Sequence, residues 1–182
     1  MSDTSRFLTA LGRVFRSLTG GRQQAPSTDA AGASTSVSTG LLSPGQAGPS
    51  ATVEVDPRRL KGVRLAYTPS RDGEPDPGEI VWTWVPYEER DGRGKDRPVA
   101  IVAASGGGDF LAVQLTSKPH DGDRDFVALG DGAWDAAGRA SWARIDRVFR
   151  VRSGGMRREA ASLDAARYGR IASALGERYG WR

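Results

Sequence analysis

A chain of 182 residues is long enough for one ordinary domain plus a tail. It carries no cysteine and a single histidine, His120, which excludes disulfides, cysteine metal sites and any multi-histidine metal site within one chain, so neither a metal nor another cofactor is expected. The net charge of +4 is compatible with a nucleic-acid partner, but the arginine-heavy basic set, with Lys61, Lys95 and Lys118 as its lysines, is explained more simply by a GC-rich genome.

At the start, Phe7, Leu8, Leu11, Val14, Phe15 and Leu18 recur at spacings of three and four among Arg6, Arg13 and Arg16. This pattern reads as a short basic amphipathic helix over residues 5–18. Such a helix could lie on a membrane surface or dock on a partner. Equally, it could form only on contact or cap the chain's own domain, because isolated helices of about 14 residues are marginal in water. Gln23–Val53 is rich in Ser, Thr, Ala, Gly and Pro, has no aromatic residue, and holds Asp29 as its one charge. It cannot bury enough apolar surface to offset ordering and reads as a disordered linker. The division is therefore a basic helix in 1–22, a linker in 23–55 and a folded domain in 56–182. Val63–Tyr67 reads as an edge strand added to that domain, and Pro69–Pro77 as a turn-rich lead-in. No run reaches the roughly 18–20 apolar residues of a membrane-spanning helix. No signal peptide is evident, so a cytoplasmic location is expected.

The centre of the chain is Gly78–Ser117. Three apolar runs of strand length, Glu79–Val85, Pro98–Ala103 and Asp109–Leu115, are divided by Gly/Asp-rich punctuation. In the third, Leu111, Val113 and Leu115 share one face, and Phe110, Ala112, Gln114 and Thr116 the other. Ser105–Gly108 suits a tight hairpin, and Pro86–Asp96 reads as a long polar loop running into Arg97-Pro98. Asp125–Leu129 is a short strand, followed by a Gly/Asp-rich loop that holds Trp134. Ser141–Val151 reads as one long strand, with Trp142, Arg144, Asp146 and Val148 on one face and Ala143, Ile145 and Phe149 as core on the other. Ser162 is the expected N-cap of a helix over Leu163–Tyr179, with a buried stripe of Tyr168, Ile171, Ala172, Leu175 and Tyr179 and Gly180 as its stop. Short strands with regular turn signals and one terminal helix read as a small, mainly β barrel.

The order of these pieces resembles the PemK/MazF family of toxin ribonucleases. The matching features are Gly78-Glu79-Ile80-Val81-Trp82 in the first strand, a polar loop, Gly94–Val99 as Gly-x-x-Arg-Pro-Val, and a later strand ending in Thr116-Ser117. The likeness spans roughly 76–181 and leaves out the first fifty or so residues. It implies an SH3-like small barrel of five to seven strands with a C-terminal helix (α+β, mainly β), preceded by a disordered N-terminal arm. It further implies a metal-independent endoribonuclease cutting single-stranded RNA as the toxin of a toxin–antitoxin pair, a homodimer, an RNA groove shared by two barrels, and an antitoxin whose tail fills that groove. The alternative is a non-catalytic barrel that binds nucleic acid or a protein.

Metal-free RNA cleavage requires a base for the ribose 2′-hydroxyl, donors for the charge gathering on the phosphate, and an acid for the leaving oxygen. In the resembled family the arginine of the Arg-Pro pair is an active-site residue. The resemblance therefore assigns Arg97 to phosphate binding and transition-state charge, not to proton donation, because a guanidinium stays protonated; the plain alternative is a strand-initial arginine paired with Asp96 or Glu89. By the resemblance, Thr116 and Ser117 contact the scissile phosphate, and Arg144 and Asp146, two apart on one strand, serve catalysis. Where the family often reads Gly-His-Glu-Gln, this chain has Pro86-Tyr87-Glu88-Glu89. Either Glu88 or Glu89 then acts as base, or His120 arrives from another loop, or activity is lost. Arg93, Lys95, Lys118 and His120 complete the expected RNA-binding set, with Trp134 as the favoured base-stacking tryptophan.

Overall fold

The computed structural model describes residues 42–182 except 71 and 73, and of 158–160 the backbone alone. The helix read over 5–18 and the linker up to residue 41 lie outside the described residues. The strands are β1 (Val53–Val55), β2 (Glu79–Pro86), β3 (Gly94–Gly106), β4 (Asp109–Thr116), β5 (Phe126–Gly130), β6 (Ser141–Arg144), β7 (Val148–Arg152) and β8 (Arg157–Ser162), followed by helix α1 (Ala165–Tyr179). The class is the expected one, mainly β with a C-terminal helix, but the sheet has eight strands rather than five to seven. Two were missed: β1 is three residues long, and β8, RREAAS, has no strand-like apolar run.

The order β1-β7-β4-β3-β2-β8 is antiparallel throughout, with β6 joining β4 to β5. β4 pairs with β7 along Asp109–Ala112 and with β6 at Leu115–Thr116. One uninterrupted strand cannot make both pairings, so Ser141–Val151 is broken at Ile145-Asp146-Arg147, where the Ile145 N–H instead donates to the Asp125 carbonyl at 2.8 Å. Both faces of the sheet are buried. Ile80, Val102, Leu111, Val113, Leu115 and Val148 pack towards Tyr168, Ile171 and Leu175 of α1. Val81, Val99, Ile101, Ala112, Phe149 and Val151 form a second core on the other face. Two-sided burial makes the strands read as near-continuous apolar runs. Val148 and Trp142, expected on an outer face, are therefore buried at 0% and 8% exposure.

Asp164, not Ser162, caps α1; its carboxylate accepts from the Arg167 N–H at 2.7 Å. Ser162 is instead the last residue of β8, paired with Glu79. The predicted stripe is buried at Tyr168, Ile171 and Leu175, and Gly180 closes the helix at φ 72° with its N–H on the Gly176 carbonyl. Val63–Tyr67 is not a strand. It is an extended segment held by the Arg182 N–H donating to the Val63 carbonyl at 3.2 Å and by the Tyr67 hydroxyl donating to the Leu163 carbonyl at 2.9 Å. No helix among the described residues is long and apolar enough to cross a membrane.

The linker reading does not fit residues 42–55, which pack on the sheet. The Pro44 carbonyl accepts from Trp84 N–H at 2.9 Å, Thr52 and Thr83 share a 2.6 Å hydroxyl contact, and the Thr83 hydroxyl donates to the Gly155 carbonyl at 2.6 Å. Composition could not reveal this, because the strap is held by backbone groups and close glycine contacts rather than by apolar area. Gly45 has φ +79°, and a Cβ at Gly155 would overlap the Ser50 carbonyl oxygen. We therefore expect Gly155→Ala to destabilise the fold by about 1–3 kcal/mol through overpacking against backbone, and to speed hydrogen exchange at the Trp84 amide. An unchanged melt with unchanged exchange would show that the strap is not seated there.

Candidate active site

The face of β4 that buries Ala112 in the second core carries Gln114 and Thr116 further along, where the sheet opens. Two clefts meet there. The first, of about 410 Å³, is bordered by Trp82, Lys95, Arg97, Thr116, Ser117 and Trp134. The second, of about 430 Å³, is bordered by Tyr87, Glu88, Glu89, Arg97, Gln114 and Arg144. Arg97 alone of these lines both.

Arg97 does not open its strand. β3 begins at Gly94, so the polar loop is shorter than expected, and Arg97 pairs in register with Thr83. Pro98, inside the strand, pairs with Trp82, and β4 joins β3 only from Val99↔Gln114, so the missing proline N–H breaks no pairing with β4. The shortened loop is closed by the Tyr87 N–H donating to the Arg93 carbonyl at 3.0 Å, and turns at Arg90, with φ 53°. Asp96, one expected partner of Arg97, instead pairs with Arg157 at 3.1 Å. Glu89, the other, makes no ion pair, and Arg97 has neither an ion pair nor a hydrogen-bonded side chain among the described residues.

Arg144 is paired heavily. Its Nε and Nη2 donate to Asp146 Oδ1 and Oδ2 at 2.7 and 2.9 Å, and its Nη1 donates to Glu88. The same guanidinium lies 5.6 Å from the Phe126 ring centre. Two carboxylates raise the Arg144 pKa, the Asp146 hydrogen bond most, and in turn Arg144 holds Glu88 below the ordinary carboxylate value. The sign follows: Glu88 adds stability above its ordinary value of 4.5, and that contribution fades as pH falls through the lowered value. Glu88→Gln should therefore melt lower than wild type at neutral pH, by a small amount because Glu88 is exposed, with the gap closing in acid. A gap that persists in acid would mean the pair contributes through packing rather than charge.

The remaining candidates divide. Thr116 accepts from the Lys118 N–H at 3.2 Å through its hydroxyl oxygen, which fixes the oxygen and leaves the O–H free to donate into the first cleft. Ser117 and Lys95 border the same cleft. Trp134 is not an exposed stacking residue: it is 6% exposed, its indole N–H donates to Ser141 Oγ at 3.0 Å, and only its border meets the cleft. His120 is stacked on Phe126 with ring centres 3.6 Å apart, outside both clefts. Arg93 pairs with its loop neighbour Asp91 at 2.6 Å, and neither it nor Lys118 lines a cleft. Among the described residues no group of three or more acidic or histidine side chains is placed to hold a metal.

Gln114 was not singled out from the sequence. It is 7% exposed, its carbonyl oxygen is buried without a partner, and its amide makes no hydrogen bond among the described residues. The signal was its position: a glutamine two residues before Thr116, on the same face of the strand.

A family profile described as PemK-like, MazF-like toxin of type II toxin-antitoxin system matches residues 76–178. No curated protein matches the chain. Among solved structures it is similar to MazF from Deinococcus radiodurans in its Form-I crystal, with 22% identity, 59% of this chain and 97% of that one covered, and a TM-score of 0.45. The Form-II MazE–MazF structure from the same organism gives 19% identity, coverage of 58% and 96%, and a TM-score of 0.44. Mycobacterium tuberculosis toxin MazF-mt6 gives 16% identity, coverage of 56% and 98%, and a TM-score of 0.41. Because the matched span runs from the lead-in of β2 to the last turn of α1, the chain belongs to the PemK-like, MazF-like toxin family of type II toxin–antitoxin systems.

Proposed function

We propose that this protein is a metal-independent endoribonuclease that cleaves single-stranded RNA by attack of a ribose 2′-hydroxyl on the adjacent phosphorus, acting as the toxin of a toxin–antitoxin pair in the cytoplasm. The observation that carries the reading is Arg97: a guanidinium that has no ion pair among the described residues, at the junction of two clefts, in a region where Arg144, Arg147 and Arg157 are all paired. An unpaired guanidinium there is free for a phosphate oxygen and can hold the charge of the transition state.

The phosphate lies between Arg97 and the Thr116 hydroxyl, with Lys95 and Ser117 beside it. Glu89 is the general base: it takes the 2′-hydroxyl proton as the 2′ oxygen bonds to phosphorus, while the P–O5′ bond breaks and the leaving 5′ oxygen takes a proton from water. Glu89 borders the second cleft and has no cation partner, whereas Glu88 is held ionised by Arg144 and is the poorer proton acceptor. Arg144 and Asp146 act as positioning residues for Glu88 rather than as groups on the phosphate. A homodimer with a shared groove, and an antitoxin segment that covers it, belong to the same reading. In support, the family to which the chain belongs is one of toxins of type II toxin-antitoxin systems.

The test is incubation of the purified full chain with a long single-stranded RNA in EDTA, followed by analysis of the ends. Expected are cuts that survive EDTA, leave a 2′,3′-cyclic phosphate or 3′-phosphate, and vanish when hydrogen replaces the attacking 2′-hydroxyl. Cutting of that deoxy substrate at the wild-type rate would overturn the mechanism. Binding without any cutting would favour the non-catalytic barrel.

A further inference from the structure

The second cleft has the wrong charge for a second phosphate. Glu88 and Glu89 both border it, while Arg144 is already taken up by Glu88 and Asp146, and Arg147 by Glu54 and the Pro86 carbonyl. What it offers instead is an aromatic side chain, Tyr87, a fixed carboxylate, Glu88, and Gln114, a largely buried side chain whose amide N–H groups have no partner among the described residues. The amide nitrogen of Gln114 has no hydrogen-bond partner among the described residues and the side chain borders the cleft, so its N–H groups can donate to a ligand there. Aromatic ring, acceptor and donor on one wall suit an unpaired nucleobase, which RNA-binding proteins stack and read along its Watson–Crick edge.

We propose that this cleft is a guanine-reading subsite beside the scissile phosphate, in which Glu88 accepts from guanine N1–H and N2–H while the Gln114 amide donates to O6 and Tyr87 stacks on the ring. The inference rests, for its RNA context, on the ribonuclease reading above. Guanine is selected because it presents two adjacent N–H donors to one carboxylate and still leaves an acceptor for the amide. Adenine and cytosine present a single amino group beside a ring acceptor, and uracil offers one N–H flanked by two carbonyls. Arg144 fixes the Glu88 carboxylate by a hydrogen bond to one of its oxygens, and a carboxylate has lone pairs to spare for the base. Arg97, which borders both clefts, sets the subsite next to the phosphate that is cut.

Two measurements on the full chain test it. In the first, the ends from long-RNA cleavage are sequenced for wild type and Gln114→Leu. A guanine at one fixed position beside the cut is expected for wild type, with the preference falling about tenfold or more in the variant, the size of one lost base-edge pairing. In the second, GMP, IMP, AMP and CMP are titrated into ¹⁵N-labelled protein while the Gln114 side-chain amide resonances are followed. GMP should shift them, and IMP, which lacks the 2-amino group, should bind about tenfold more weakly. Cleavage without a guanine preference, together with GMP leaving Gln114 unmoved, would overturn the subsite and leave the ribonuclease standing. Guanine-selective shifts at Gln114 without cleavage would support the subsite and remove the ribonuclease. Tighter binding of AMP or CMP would overturn the choice of guanine.

Discussion

Replacing Arg97 with alanine is expected to lower turnover by about 10²–10³-fold, the scale of one lost donor to transition-state charge. Lysine at the same position should restore only part of that loss, because a point ammonium cannot make the two-pronged contact of a guanidinium. The melting temperature should change little, because Arg97 has no ion pair among the described residues to lose. These outcomes separate three roles. A binding residue would lose affinity with no turnover to lose. A structural arginine would lower the melting temperature in step with activity. Single-turnover cleavage measured beside thermal melts for wild type, Arg97→Ala and Arg97→Lys decides between them. Wild-type rates in a folded Arg97→Ala protein would take this residue out of the mechanism.

The largest stability effect is expected at Phe149, which is fully buried in the second core, pairs with Ala112 of β4 and Glu54 of β1, and lies under the Arg147 guanidinium at 5.0 Å. Phe149→Ala should cost about 3–5 kcal/mol through lost burial and the cavity left behind. That is a large share of the roughly 5–15 kcal/mol that separates folded from unfolded states of ordinary domains. Arg147 stacks on that ring and holds Glu54 at 2.6 Å, so the loss should spread to the β1 edge. Urea unfolding followed by tryptophan fluorescence reads the loss, and hydrogen exchange along Val53–Val55 reads its spread. A cost under about 1 kcal/mol would mean that the second core is not packed as described.

Neither result could have been anticipated with equal force from the chain alone. Phe149 was legible as core because an aromatic at that phase of an apolar run has to be buried somewhere. The alternation of Leu111, Val113 and Leu115, the stripe Tyr168-Ile171-Leu175 and the stop at Gly180 were legible for the same reason: each depends on neighbours a few residues away. The roles of Arg97 and Thr116 were legible through the resemblance; local alternation gave only the face of the strand on which Thr116 lies. The pairing of Arg144 with Asp146 follows from a spacing of two on one strand, but its capture of Glu88, fifty-six residues earlier, does not.

By itself, the sequence determined the class of fold, the helix and its buried stripe, the apolar strands, and the want of cysteine or histidine clusters that directs the chemistry towards arginine, carboxylates and hydroxyls. Periodicity and composition are local quantities, and these are the features that local quantities control. The tertiary structure alone decided that β4 needs two partners and so breaks Ser141–Val151, and that both faces of the sheet are covered, which buries Val148 and Trp142. It decided that a glycine-lined strap of linker-like composition belongs to the fold, because backbone hydrogen bonds and close glycine contacts leave no hydrophobic signature. It also withdrew Trp134 and His120 into packing roles, and brought Gln114 to the wall of a cleft with its amide unpaired. Each of these depends on which distant residues arrive at the same place, and that follows from strand pairing over the whole domain.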